Sequence, residues 1–167
     1  IADSEGITSE ATVEIAITGV NAAPVAENDE AETEEDTELT ILVEDLLSND
    51  SDVDSETLVL TVVAGPLHGT LEDQGDGTLL YTPDENYHGS DQFTYELSDG
   101  DDTSNLATVF LTVTPVNDEP FAADDSGEAS ELGVLAVAAP GLLANDTDVD
   151  LGDQLTVVAI DGEEAAV

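Results

Sequence analysis

The chain has 167 residues, with 41 aspartates and glutamates and not one lysine or arginine, for a formal net charge of -41 at pH 7. Such a polyanion is repelled by nucleic acid and by anionic membranes, so neither is expected as a partner. Cysteine is absent, which excludes a disulfide framework, a thiolate nucleophile and a zinc–thiolate site, and no apolar run reaches the roughly 20 residues of a membrane span.

Taken in chain order, the sequence repeats. Ile17-Thr18-Gly19-Val20-Asn21-Ala22-Ala23-Pro24 returns as Val113-Thr114-Pro115-Val116-Asn117-Asp118-Glu119-Pro120, an offset of 96 residues. The same offset carries Asn49-Asp50-Ser51-Asp52-Val53-Asp54 onto Asn145-Asp146-Thr147-Asp148-Val149-Asp150. One residue is then lost, and Leu60-Thr61-Val62-Val63-Ala64 aligns with Leu155-Thr156-Val157-Val158-Ala159. The chain therefore reads as an excerpt. Residues 1–20 are the C-terminal strand or strands of one unit, 21–116 a complete unit, and 117–167 the N-terminal half of a third.

Within the complete unit the apolar period is two. It predicts strands near 29–33, 37–43 (Leu39, Ile41, Val43), 57–64 (Leu58, Leu60, Val62), 69–73 and 77–82. Two more follow at 91–98 (Phe93, Tyr95, Leu97) and 105–114 (Ala107, Val109, Leu111, Val113), with a single helical turn at Glu44 to Leu47. Seven short strands in under about 100 residues predict an all-β fold, a Greek-key β-sandwich repeated with a period of 96. Tyr81, Phe93 and Tyr95 follow the strand pattern and are assigned to the core. Tyr87 is placed to make a hydroxyl-to-backbone corner.

Lettering the strands A to G puts the B–C, D–E and F–G loops at the end where the chain enters. The B–C loop brings Asp50, Asp52 and Asp54, the D–E loop Asp73 and Asp76, and the F–G loop Asp99, Asp101 and Asp102. At the exit end lie Glu34, Glu35 and Asp36 of the A–B loop and Asp84 and Glu85 of the E–F loop. The linker Asn117, Asp118, Glu119 follows, and the next unit's entry loop adds Asp146, Asp148 and Asp150. Each junction thus gathers oxygen ligands from outgoing loops, linker and incoming loop. Hard oxygen donors without His or Cys select Ca2+ over zinc or copper, and Ca2+ accepts six to eight of them in flexible geometry. Glu34 to Asp36 and Asp84 to Glu85 read more readily as charge runs on exposed loops, and a Ser98-Asp99-Gly100 turn needs no metal. The two histidines, His68 and His88, lie in Gly-containing turns without a Ser or Cys constellation, and no carboxylate pair is flanked by aromatic residues. An enzyme is not expected.

The linker Val116-Asn117-Asp118-Glu119-Pro120 and the loop Leu47 to Asp54 occur together with Pro66-Leu67-His68-Gly69-Thr70, Tyr81-Thr82-Pro83-Asp84 and the run Asn86 to Tyr95 followed by Ser98-Asp99-Gly100. As a set they resemble the tandem cadherin-like (Ig-like) repeats of giant bacterial surface adhesins of the type I-secreted, RTX kind. The resemblance implies a non-catalytic extender in a secreted or surface-anchored protein, stiffened by interdomain calcium, whose partners are neighbouring repeats of the same chain. The alternative is a calcium-dependent carbohydrate-binding module for polysaccharide or another cell-surface ligand, which would want an exposed aromatic row. Adaptation to high salt would explain the charge but not its concentration at the junctions. The first junction departs from the pattern, since Asn21-Ala22-Ala23-Pro24 lacks both linker carboxylates.

Overall fold

Alternating burial builds seven strands between Asp29 and Thr114. They are β1 (Asp29–Glu34), β2 (Leu39–Leu42), β3 (Val59–Ala64), β4 (Gly69–Asp73), β5 (Thr78–Pro83), β6 (Gly89–Ser98) and β7 (Ala107–Thr114). The computed structural model describes residues 1–2, 4–16, 19–127, 141–150, 152–160 and 163–164. Residues 17–18 of the first repeat motif and 128–140 of the expected third unit lie outside the described residues.

Two sheets face each other, one ordered β1-β7-β6-β3 and the other β2-β5-β4. β1 runs parallel to β7 and the remaining pairs are antiparallel. The chain changes sheet between β1 and β2, β2 and β3, β3 and β4, and β5 and β6, which makes the sandwich a Greek key. β2 stops at Leu42 and a helical turn, α1 (Val43–Leu46), begins one residue earlier than predicted, with Glu44 and Asp45 at its positive end.

The inward positions hold the core. Tyr81, Tyr95, Leu97 and Val109 are fully covered, with Phe93, Leu79, Leu111 and Val113 beside them. Burial of each large apolar side chain contributes about 1.5–3 kcal/mol. Tyr87 donates its hydroxyl to the Ser90 carbonyl at 2.7 Å, the corner bond expected of it, and the His68 ring stacks on its face at 4.2 Å. Gly89 permits that corner. Its φ is +139°, and a Cβ there would stand 3.1 Å from the Tyr87 hydroxyl. Among the described residues no helix is long and apolar enough to cross a membrane.

Candidate metal centres

At the exit end, the parallel pairing of β1 with β7 carries the chain beyond Glu34 back against the outgoing strand. Glu35 donates its N–H to the Thr114 carbonyl at 2.9 Å, and its Oε1 accepts the Val116 N–H at 2.6 Å. Its Oε2 lies 3.4 Å from His88 Nδ1. Glu35 is therefore buried at 4% exposure, not part of an exposed charge run as its loop position suggests. Glu34 and Asp36 do remain exposed. Asp36 takes a positive φ of 57° and accepts the Asn86 N–H at 2.9 Å, which ties the A–B loop to the E–F loop.

The linker meets this corner. Asp118 donates its N–H to Asp150 Oδ2 at 2.7 Å, and Asp150 donates its own to Asp148 Oδ1 at 3.0 Å. Carboxylate oxygens of Glu35, Asp118 and Asp150 all lie within 4.8 Å of one another. Asp118 Oδ2 is buried and receives no hydrogen bond. Burial, and then the charges of Asp150, Asp36, Glu35 and Asp148, raise the Asp118 carboxyl above its ordinary value. Five acids converge, and among the described residues the basic side chain beside them is His88, at 3.4 Å from Glu35.

A second group forms at the entry end from Asp52, Asp54 and Asp99, again within 4.8 Å. Asp52 Oδ1 accepts the N–H groups of Asp54 at 2.8 Å and Ser55 at 2.9 Å, while its buried Oδ2 receives none. The N–H groups of Asp102 and Asp101, then the Asn21 amide, hold the Asp99 carboxyl below its usual range. The Asn21 amide reaches Asp99 Oδ2 and Asp102 Oδ2, each at 3.0 Å.

The two ends share contacts at corresponding places. Ala22 donates to Asp54 as Asp118 does to Asp150, and Asp54 to Asp52 as Asp150 does to Asp148. The backbone bridge Val25–Ser51 has its counterpart in Phe121–Thr147. Ala22 occupies the place of Asp118, so the entry end has no linker carboxylate.

Several predicted ligands stand apart from both trios. Asp50 and Asp146 accept the N–H groups of Glu27 and Ala123, each at 2.8 Å, and so tie their loops to the chain 23 residues earlier. Asp84, Glu85, Asp101 and Glu119 are exposed and outside the two groups. Asn117 turns its amide onto the Asp118 carbonyl at 2.8 Å. Of the D–E acids, Asp73 and Asp76 cap their own turn at Gly75 and Thr78.

Two acids that were not assigned as ligands are held by hydrogen bonds within the fold, the first buried and the second half-buried. Asp91 is one. The other is Asp29, whose Oδ2 lies 2.9 Å from the Tyr95 hydroxyl, which also has the Glu27 carbonyl at 3.0 Å and Asp50 Oδ2 at 3.2 Å. One hydroxyl proton serves these three acceptors. Burial, with the Asp50 charge adding to it, raises the Asp29 carboxyl despite the Tyr95 and Asn49 hydrogen bonds. Tyr95→Phe removes that only proton and should lower stability by about 1–2 kcal/mol, read as a reduced urea midpoint at unchanged slope.

Among solved structures, the chain is similar to the endo-fucoidan hydrolase MfFcnA4 from glycoside hydrolase family 107 and to a variant of it, each at 22% identity with TM-scores of 0.40 and 0.39. The likeness covers 57% and 56% of this chain but spans only 14% of either enzyme chain. No curated protein matches. The model of the cadherin-like domain matches residues 20–114, the stretch that holds both sheets and the Asp52–Asp54–Asp99 group, and the chain belongs to the cadherin-like domain family.

Proposed function

We propose that the chain is a non-catalytic extender segment of a long secreted bacterial adhesin, stiffened by Ca2+ at the junctions between its units. The units are 1–20, 21–116 and 117–167, each the neighbour the next one docks on. The observation that carries this reading is the meeting of Glu35, Asp118 and Asp150 from three separate pieces of chain, with a buried Asp118 oxygen that no donor satisfies. An all-oxygen donor set in flexible loops fits calcium, which accepts carboxylates and carbonyls at 2.3–2.6 Å, better than magnesium, which keeps its waters. A bound calcium ion would supply the positive charge that the chain lacks.

The chain's own residues do the rest. Glu35 is anchored to the outgoing strand through Val116, and Asp150 to the linker through the Asp118 N–H, so a shared ion fixes the angle between units. Where calcium is scarce, mutual repulsion of these carboxylates leaves the joint loose and the polypeptide easy to export. In millimolar calcium, as outside a cell, the joint is closed by mass action. Cadherin-like domains are typically non-catalytic, and the aromatic side chains agree: Tyr81, Phe93 and Tyr95 are in the core and Tyr87 is stacked on His68. The two exposed rings, Phe110 at 45% and Phe121 at 67%, sit on β7 and beyond the linker rather than along one strand, which favours the extender over the carbohydrate module.

Calorimetric titration of the full chain with calcium tests this. The expected dissociation constant is roughly 0.1–1 mM. A tenfold excess over that constant should stabilise the fold by about 1.4 kcal/mol, seen as a higher melting temperature. Scattering should show a longer and stiffer particle. If sodium chloride or magnesium produced the same changes, the carboxylates would be a generic acidic surface and the proposal would fail.

A further inference from the structure

We infer that the outer edge of β3 is a self-association surface, through which two copies of this chain pair strand to strand over Leu58 to Val62. Four strands terminate the two sheets of the sandwich: β1 and β3 in one, β2 and β4 in the other. β1 carries Asp29, Glu30, Glu32 and Glu34, and β4 ends on Glu72 and Asp73. β2 is short and flanked by Glu38 and Glu44. Acidic side chains of this kind are the usual guard against edge-to-edge pairing.

β3 has no such guard. From Thr57 to Leu71 there is no acidic residue, in a chain where 41 of 167 residues are acidic. Leu58, Leu60 and Val62 pack on the core, while Val59 (60% exposed) and Val63 (52%) face outward with Thr61. The strand hydrogen-bonds to β6 alone, so among the described residues the N–H and C=O groups of its other edge have no backbone partner. A bulge between Val62 and Ala64 ends the regular stretch. That confines pairing to the five residues before it.

Charge selects the occupant. A basic partner would be drawn to the acidic loops and to β1, and a different acidic chain would find no complementary surface. An open, uncharged backbone edge fits an uncharged strand, and the β3 of a second copy is one. Two-fold antiparallel pairing makes the contact self-complementary and closed. It also keeps the acidic loops of the two copies at the ends of the pair rather than opposed. Leu155-Thr156-Val157-Val158-Ala159 is equally free of acids in sequence.

The test is sedimentation equilibrium of the full chain at up to millimolar concentration. It is run with chelator present, so that the outcome is independent of the junction reading. About 0.5 M sodium chloride shortens the Debye length to on the order of 4 Å and screens the net repulsion. The mass should rise toward that of two chains, and amide exchange at Leu60 and Val62, whose N–H groups face the open edge, should slow in step. Val59→Glu should hold the mass at one chain with an unchanged melting curve, and Thr112→Glu, on β7, should associate like the parent. Should Val59→Glu melt early, Val59→Lys at the same site takes its place. A single-chain mass throughout, growth without limit, or association that survives the Val59 substitutions would overturn the inference.

Discussion

Asp91→Ala should destabilise the fold by about 3–4 kcal/mol in urea denaturation, more than any other single acid-to-alanine change in this chain. Asp91 occupies an inward position of β6 at 6% exposure. Its carboxylate accepts the N–H groups of Leu67 at 2.9 Å, His68 at 3.0 Å and Gln92 at 2.9 Å, and the Tyr81 hydroxyl at 3.0 Å. It thereby joins the β3–β4 loop, β6 and β5 at one point. Alanine would leave three backbone donors without an acceptor and the Tyr81 hydroxyl with only the more distant His68 carbonyl at 3.4 Å, and a buried donor without a partner costs about 1–3 kcal/mol. Asp91→Asn keeps one acceptor oxygen but turns an amide toward N–H groups, so its loss should be intermediate.

The same site gives a pH dependence whose sign is fixed. Burial alone would raise the Asp91 carboxyl, but the N–H groups of Leu67, Gln92 and His68 and the Tyr81 hydroxyl outweigh it and hold the group below 3.8. The unfolded chain therefore binds this proton more tightly than the folded one. The stabilisation is fully present above about pH 4 and is lost as pH falls through the lower folded value. Tyr81 moves the other way: burial and then the Asp91 hydrogen bond push its hydroxyl far above its ordinary value, so it stays a donor throughout. Acid titration of the parent against Asp91→Ala should show the acid limb weakened in the variant.

Asp91 also marks where sequence reading stops. The alternation Phe93, Tyr95, Leu97 sets the inward face of β6, and extending it two residues back places Asp91 on that face. An acid in that position reads as a strand end until the loop that satisfies it, Leu67 and His68, is known to fold over it. The period of two sufficed for all seven strands because each buries one face. The trios of carboxylates were partly legible as well. Asp52, Asp54, Asp99, Asp118 and Asp150 lie on loops that strand order alone sends to the two ends. Glu35 was less legible, because its burial depends on the register of β1 against β7, which places Val116 over it. Asp-x-Asp-x-Asp spacing treats its three acids alike. The fold separates them, turning Asp50 and Asp146 to the backbone N–H groups of Glu27 and Ala123 and leaving Asp52, Asp54 and Asp150 in the carboxylate groups.

Asp118→Asn should change sign with calcium. In its absence, the substitution removes one of five converging negative charges at a position where burial and the neighbouring acids already raise the carboxyl, so the melting temperature should rise. In its presence, the variant loses the one linker carboxylate whose oxygen is buried and unsatisfied, and calcium affinity should fall about tenfold or more. Melting curves of parent and variant would then cross as calcium is titrated in, the variant higher at the start and lower at the end. Glu119→Gln is the matched control. It removes the same charge from the adjacent linker residue, which is exposed and outside the trio, and should shift both conditions alike and slightly. An acidic surface adapted only to salt makes no such distinction between neighbours, since every neutralised acid would then help at low salt whether or not calcium is present. A crossing at Asp118 with none at Glu119 therefore separates a built ion site from bulk charge within a single pair of variants.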